Sequence, residues 1–455
     1  MLKARFTQYI IKAEEEKHLL RVVVMSTVMT AERAVGLIRS GDRVWVHTGC
    51  ATPEPLLEAL VRRSDGLHDV EMVHVVPCGD VAYARPENAG RFRLNSLFLS
   101  GCVRGAVAEG RADYTPISLS DIENFLESGE FPLDVVMVQT SPPDAHGFLS
   151  LGISVDCTLT ACRLARRVIA EVNDQMPRTM GQTFLHMSQV AAMVETSRPL
   201  HEMRPEPSTP VQERVAAHVA SLIPDGATLQ LGIGGIPNAV LERLHTRRDL
   251  GIHSEMCSDG IIGLMESGAV TGARKTLHAG KVVTGFLLGS QALFEFVRDH
   301  PAFEFYPTRY VNDPYIIGRH DNMIAVNSAL QVDLTGQVCS DSIGTRPYSG
   351  FGGQLDFMRG AGRSKGGKPI IALPSTAGKG TVSRIVPVLD TGAGVVTTRS
   401  DVHYVVTEHG IAYLRGKTIR QRAEALIAIA DPKFRDGLRE FAERTYHVAA
   451  RELVA

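Results

Sequence analysis

The strongest constraint on the fold is a match between two segments of the chain. Residues 41–60 read GDRVWVHTGCATPEPLLEAL, and residues 226–244 read GATLQLGIGGIPNAVLERL. Gly41 and Gly226, which begin the segments, are 185 positions apart, and the loop glycines keep that spacing. Each segment passes from a short apolar run through a glycine-containing loop and a proline into a helical leucine pattern. Such self-similarity indicates an internal repeat.

Three further matches follow in the same order. The sequence GLH at 66–68 is followed by Glu71, as GIH at 251–253 is followed by Glu255. An apolar strand with an Asp-x-x-Gly loop, and then a second apolar strand, also occur in both halves: these pairs are 135–150 with 323–340, and 166–173 with 368–375. Four matches in one order predict two tandem, similar α/β domains.

The domain boundaries follow from the repeat. We expect a helical arm at residues 1–30, an N-terminal α/β domain at 31–205 and a C-terminal α/β domain at 211–455. Residues 199–210 join the two domains and carry four prolines, which suits a linker. Runs rich in Val and Ile alternate with helical patterns, which is typical of mostly parallel sheets buried on both faces.

Charge and cysteine content argue against several classes of protein. The chain has 48 basic and 50 acidic residues and a net charge of -2, so it carries no electrostatic footprint for nucleic acid or an anionic membrane. Acidic residues interrupt the N-terminus before any apolar run, and no apolar stretch reaches membrane length. The seven cysteines are odd in number and never spaced CxxC, which predicts neither a disulfide framework nor a metal site. We therefore expect a cytoplasmic protein.

Glu255 is the main candidate for chemistry. It follows the strand-like sequence LGIHS and precedes a turn, which predicts a position at the carboxyl end of a strand, where open α/β sheets place ligands. A carboxylate with an ordinary pKa of about 4.3 is ionised at neutral pH and can act as a nucleophile without a base. An arbitrary glutamate is more often a solvated surface charge, and Glu71, its partner in the repeat, is a direct rival.

A glycine-rich loop in the second half is a candidate for binding an anion. It lies between a predicted strand and a helix predicted to begin near Pro237, and it comprises Gly232, Ile233, Gly234, Gly235 and Ile236. Backbone amides at a helix entrance favour anions, phosphates included. A tight turn without a ligand fits the same residues.

A second glycine-rich segment, residues 348–361, interrupts the repeat. Gly352, Gly353 and the side chain of Gln354 can present amides to an oxyanion, although a mobile surface loop has a similar composition. Four basic residues follow and are candidates for phosphate contacts: Lys365, Lys368, Lys379 and Arg384.

Together these segments resemble the acetyl-CoA hydrolase/transferase family, and most closely its 4-hydroxybutyrate or butyrate CoA-transferase branch. The resemblance covers nearly the whole chain and is carried by GIGGIPNAVLERL, GIHSEMCSDGIIGLMESGAVTG, VNSALQVDLTGQV, GGQLDFMRGA and TEHGIAYLRGKTIRQRAEALIAIA, with VHTGCATPEPLLEAL and TSPPDAHGFLSLG in the first half. The GGQ-DF form favours the butyrate-type branch over the succinyl-CoA:acetate branch.

The resemblance implies two similar α/β domains with the active site between them. It implies Glu255 as the catalytic nucleophile, residues 232–236 as the CoA-binding loop, and further CoA contacts at Leu330 and Gly353. The loop at 47–51 departs from the family's more compact pattern around a histidine, and it leaves His47 as a candidate for the acyl site.

The expected activity is exchange of CoA between a short-chain acyl-CoA and a carboxylic acid of the acetate, butyrate or 4-hydroxybutyrate type, through a glutamyl-CoA thioester. Acyl-CoA is then a substrate, and neither a metal nor a permanently bound cofactor is expected. Two alternatives use the same residues: an acyl-CoA hydrolase and a non-catalytic metabolite sensor. We expect a homodimer or higher homo-oligomer, which is the common state of soluble enzymes.

Overall fold

A computed structural model describes residues 27–204 and 207–448, and two eight-stranded sheets dominate it. The strands of the first sheet are, in chain order, β1 (Thr27–Val28), β2 (Arg43–Val46), β3 (Val70–His74), β4 (Phe92–Ser96), β5 (Ala112–Tyr114), β6 (Val135–Thr140), β7 (Arg167–Asn173) and β8 (Ala192–Thr196). Those of the second sheet are β9 (Thr228–Leu231), β10 (Gly251–Cys257), β11 (Val282–Leu287), β12 (Phe303–Phe305), β13 (Met323–Asn327), β14 (Lys368–Ala372), β15 (Tyr404–Thr407) and β16 (Gly410–Tyr413).

The two sheets have the same topology. The strand order is β1-β8-β7-β6-β2-β3-β4-β5 in the first sheet and β16-β15-β14-β13-β9-β10-β11-β12 in the second. The described pairings of the first sheet are parallel, and the second sheet departs from this at its edge, where β15 and β16 are antiparallel. The prediction of two similar, mostly parallel α/β units is therefore confirmed.

Both faces of each sheet are buried. In β2, Trp45 packs into one apolar cluster while Val44 and Val46 pack into another, as alternating residues on a doubly covered strand do. The α-helices of six or more residues in the described ranges are Glu54–Arg62, Ile122–Glu127, Thr158–Leu164, Pro210–Ser221, Gly235–Glu242, Gly260–Glu266, Gln291–Phe296, Gln354–Arg363, Ile419–Ile429 and Arg435–Tyr446. No helix among the described residues is long and apolar enough to span a membrane.

The register of the strands corrects one predicted match. In the first sheet Arg43 lies opposite Glu71, and in the second sheet Thr228, which is equivalent to Arg43, lies opposite Gly251. Glu71 is therefore equivalent to Gly251, and the residue equivalent to Glu255 is the buried Val75. The predicted match of Glu71 with Glu255 is wrong because Glu71 lies 28 positions after Arg43, whereas Gly251 lies only 23 positions after Thr228, which is five fewer.

The same correction removes Glu71 as a rival nucleophile. Glu71 lies near the amino end of β3, whereas Glu255 lies near the carboxyl end of β10. Its carboxylate pairs with the guanidinium of Arg43 at 2.6 Å and accepts a hydrogen bond from Asn95. The structure thus gives Glu71 a role in holding neighbouring strands together.

The two halves are joined by backbone hydrogen bonds and by a common core. Val155 N–H donates to Gly285 O at 3.0 Å, and Leu287 N–H donates to Ile153 O at 2.8 Å. One apolar cluster contains residues from both sheets, from Trp45 to Val406. Residues 1–26 of the predicted helical arm lie outside the described residues, and Thr27–Val28, at its end, form a strand instead.

The buried His74 predicts a loss of stability in acid. Burial lowers its pKa to about 3, while a histidine in the unfolded chain titrates near 6.5. Below pH 6.5 His74 is protonated in the unfolded state but stays neutral in the folded state until about pH 3. The free energy of unfolding therefore falls across that window by about 1.4 kcal/mol per pH unit. We expect His74→Leu to reduce the loss of unfolding free energy between pH 6.5 and 5.0 by roughly 1.5–2 kcal/mol in urea titrations. The exposed His146→Leu is the control, and an equal change in both variants would contradict the assignment.

Candidate active site

The carboxylate of Glu255 lies in a cavity of about 360 Å³ at the carboxyl ends of the central strands of the second sheet. Residues at the ends of the adjoining strands β9 and β13 also line it, and the first half contributes Phe98. Of the predicted site residues, Gly232, Ile233, Leu330, Gly352, Gly353 and Gln354 line the same cavity. The structure therefore brings both glycine-rich segments to Glu255.

Two N–H donors hold the carboxylate of Glu255. The side-chain amide of Asn312 donates to Oε2 at 2.8 Å, and the backbone N–H of Gly353 donates to the same carboxylate. Burial nevertheless raises the pKa of Glu255 to about 7, and the nearby carboxylates of Asp356 and Asp156 act in the same direction. The ordinary pKa assumed from the sequence is thus wrong, and the group titrates near neutral pH.

Gly353 has to lack a side chain. A Cβ at this position would lie 2.0 Å from Glu255 Oε2 and 2.1 Å from Asn312 Nδ2. Its φ of -99° is open to any residue, so the requirement comes from the close approach to the carboxylate. The residue caps the helix Gln354–Arg363, and its amide points to Glu255 from the start of that helix.

The first half closes the site from the opposite side. Leu119 N–H donates to Gly352 O at 3.0 Å, and the ring of Phe98 packs against Gly350 and Gly352. Arg104 donates to Tyr348 O at 2.5 Å and stacks over the ring of that residue. The segment 348–354 is therefore held between the halves, and the interpretation as a mobile surface loop is wrong.

Part of the predicted CoA loop has a structural role. The helix begins at Gly235 rather than at Pro237, and Gly234, with a φ of 106°, forms its N-cap. Gly235 packs against the side chain of Gln212, and Ile236 is buried. Gly232 and Ile233 are thus the part of this loop that faces the cavity.

His47 and Gln354 are engaged elsewhere. His47 is fully buried, its Nε2 donates to Ser154 O at 2.7 Å, and its Nδ1 accepts from Gln139 N–H at 3.1 Å. Both ring nitrogens are therefore occupied, and burial lowers the pKa of His47. Gln354 lines the cavity, but its amide nitrogen donates to Thr397 Oγ1 at 3.1 Å rather than to Glu255.

The predicted basic cluster is dispersed. Arg384 lines the cavity beside Leu330 and Tyr348. Lys368 donates to Leu222 O at 2.5 Å, and Lys365 and Lys379 are exposed and do not line the cavity. A larger cavity of about 720 Å³ lies around Arg399 and Arg420, and among the described residues that line it there is none of the predicted site residues.

Sequence reasoning missed Asn312 as a partner of Glu255. It follows the short helix Thr308–Val311 and is fully buried, but no motif or repeat position marks it. Asp356 was visible in the GGQLDF segment without an assigned role. Its place in the first turn of the helix that Gly353 caps was the available signal.

Comparison with known proteins places this arrangement in a family. Residues 20–201 match the acetyl-CoA hydrolase/transferase N-terminal domain, and residues 289–442 match the acetyl-CoA hydrolase/transferase C-terminal domain. The chain belongs to the acetyl-CoA hydrolase/transferase family. Glu255 lies between the two matched regions, so the match itself assigns it no role.

Relatives along nearly the whole chain refine this result. The chain is 50% identical to 4-hydroxybutyrate coenzyme A transferase of Clostridium kluyveri over 92% of this chain and 97% of that protein. It is 46% identical to succinyl-CoA:acetate/propanoyl-CoA:succinate CoA transferase of Fasciola hepatica over 90% of this chain and 86% of that protein. The crystal structure of RipA from Yersinia pestis is 39% identical, with a TM-score of 0.88, and covers 94% of this chain and 99% of that chain. The transferase class and the 4-hydroxybutyrate branch expected from the sequence are confirmed.

The close approach at Gly353 predicts the effect of one added methyl group. We expect Gly353→Ala to fold but to lose about 10²–10³ of its turnover, because the methyl group displaces the Glu255 carboxylate and its amide donor. The measurement is the rate of CoA exchange between an acyl-CoA and acetate. Gly362→Ala in the same helix is a matched control, because its Cβ would meet His403 at an ordinary 3.5 Å. Equal activity of the two variants would contradict the placement of Gly353.

Proposed function

We propose that the chain transfers CoA between a short-chain acyl-CoA and a carboxylic acid through a covalent adduct on Glu255. The observation that carries the proposal is a carboxylate at a cavity between the two halves, held by the N–H groups of Asn312 and Gly353. A carboxylate is a competent nucleophile towards a thioester once water is excluded. Every covalent step then takes place on Glu255.

The reaction then proceeds by exchange of acyl groups on that carboxylate. Glu255 attacks the thioester carbonyl, the C–S bond breaks, and a mixed anhydride and CoA thiolate result. The thiolate attacks the glutamyl carbonyl, which releases the first acid as its carboxylate and leaves a glutamyl-CoA thioester. A second carboxylate reverses these steps and leaves as the new acyl-CoA. The thioester energy is conserved because each step exchanges one activated carbonyl for another.

The surrounding groups support this chemistry. Negative charge develops on the attacked carbonyl oxygens, and the N–H groups of Gly353 and Asn312 are the nearest fixed donors on the described residues around Glu255. Gly232, Ile233 and Leu330 line the cavity where the thiol end of CoA would enter. Binding of the remote parts of CoA supplies energy to hold the thioester at the carboxylate.

The cavity and the relatives favour small acids as acyl groups. A volume of about 360 Å³, shared with the end of pantetheine, leaves room for a short chain. The relatives carry names that refer to 4-hydroxybutyrate, and to succinate, acetate and propanoate, and we propose 4-hydroxybutyrate, butyrate and acetate as the first substrates to test. A panel of acyl-CoA donors and acid acceptors, with succinate included, decides among them.

Trapping of the intermediate tests the proposal. We expect enzyme incubated with acyl-CoA and then reduced with borohydride to carry the modification on Glu255, and Glu255→Gln to lose turnover and labelling. Glu71→Gln is the matched control and should label normally, because Glu71 lies at the amino end of β3, where it pairs with Arg43. A label on another residue would overturn the assignment. Rapid CoA release without an acceptor acid, with little transfer when acetate is added, would identify a hydrolase instead.

The titration of Glu255 predicts the pH dependence. Burial raises its pKa to about 7, and the ionised form is the nucleophile, so adduct formation is full well above pH 7 and falls as the pH drops through 7. We expect an acid limb with a midpoint near 7 in single-turnover measurements of adduct formation. A limb near 4.3, the ordinary value of a glutamate, would contradict the burial argument.

A further inference from the structure

A buried carboxylate next to the site connects Glu255 to the first half of the chain. Asp356 is 6% exposed and lies in the first turn of the helix Gln354–Arg363. Its Oδ1 accepts from Ser120 Oγ at 2.9 Å, and its Oδ2 accepts from Ser120 N–H at 3.4 Å. Ser120 belongs to the first half, next to Leu119, which donates to Gly352 O. Two adjacent residues of the first half therefore hold the segment that presents Gly353.

The amide of Asn312 lies between two carboxylates. One contact is the hydrogen bond to Glu255 Oε2 at 2.8 Å, and on the other side lies Asp356, whose pKa the Asn312 side chain lowers. A side-chain amide has two N–H donors, so it can serve both carboxylates at once and is fixed in orientation when it does. The orientation of the donor to Glu255 thus depends on Asp356.

We propose that Asp356 is a positioning residue for the reaction, which orients the Asn312 amide and the Gly353 turn against Glu255 and ties their geometry to the first half through Ser120. The inference rests on the proposed role of Glu255 as the nucleophile. It gives the inter-domain contact a function in catalysis, since the donors around the nucleophile are set by a residue that the first half holds in place.

The charges around this pair make the role measurable. Glu255 on β10 and Asp156, just before the helix Thr158–Leu164, are the carboxylates that act on the site together with Asp356, and Arg359 on its own helix is the nearby cation. Burial raises the pKa of Asp356 to about 7, so this group is partly ionised where Glu255 titrates, and Asp356→Asn removes that partial charge. The pKa of Glu255 is then expected to fall.

The test compares the full chain with Asp356→Asn, Ser120→Ala, the double variant and the control Asp121→Asn. Asp121 is the next carboxylate along the same turn, but it is exposed and accepts from Asn124. Each protein is assayed for kcat, for the KM of the acyl-CoA, and for single-turnover formation of the Glu255 adduct from pH 5.5 to 8.5. The wild-type adduct is established first, because its absence would remove the proposed function rather than this inference.

We expect Asp356→Asn and Ser120→Ala each to lower kcat by about 10- to 100-fold with the KM changed less than twofold, because misplaced donors slow the chemistry while the CoA contacts remain. The double variant should lose no more than the worse single variant, as for residues that act as a unit. The acid limb should move to lower pH in Asp356→Asn. Either of two results overturns the inference: Asp356→Asn matches Asp121→Asn in kcat and in pH midpoint, or the losses of the single variants multiply in the double variant. Ser120→Ala removes one hydroxyl and keeps the test open if Asp356→Asn fails to fold.

Discussion

The site depends on a carboxylate that is partly buried and still held by N–H donors. Burial alone would protonate Glu255 at neutral pH, and full solvation would leave it a poor nucleophile in the presence of water. The contacts from Asn312 and Gly353 oppose burial, and the pKa of about 7 is the result of that opposition. In the proposed reaction the same donors would lie where charge develops on the attacked carbonyl, so one arrangement would activate Glu255 and stabilise the transition state.

Comparison of the two similar sheets shows that only the second half has a carboxylate at this strand end. Both halves present the carboxyl ends of their central strands to the region between them, but the position equivalent to Glu255 is Val75 in the first half. The first half contributes Phe98, Leu119 and Ser120 to the closing surface instead. In the proposed mechanism the second half therefore carries the nucleophile, and the first half encloses it.

The sequence was sufficient for the class of fold, the duplication and the position of Glu255 near a strand end, because apolar periodicity and repeated glycines are local signals. It failed at the register of Glu71, because a short motif match does not show that the second half has five fewer residues between the paired strands. It also failed for His47, whose buried hydrogen bonds to Ser154 and Gln139 are tertiary contacts. Asn312 was missed because its contact with Glu255 joins residues 57 positions apart with no pattern to connect them.

The contacts between the halves also change the role expected for the linker at residues 199–210. Besides the backbone hydrogen bonds of Val155 and Leu287, the linker itself binds the second half: Met203 N–H donates to Gly289 O at 2.9 Å, and Leu200 O accepts from the side chain of Gln291. Leu200 is also buried in the apolar cluster that the halves share, so this segment is a structural contact as well as a covalent connection. A chain divided after Arg204 would keep these contacts between its two pieces, so two separate polypeptides could in principle assemble into the same structure.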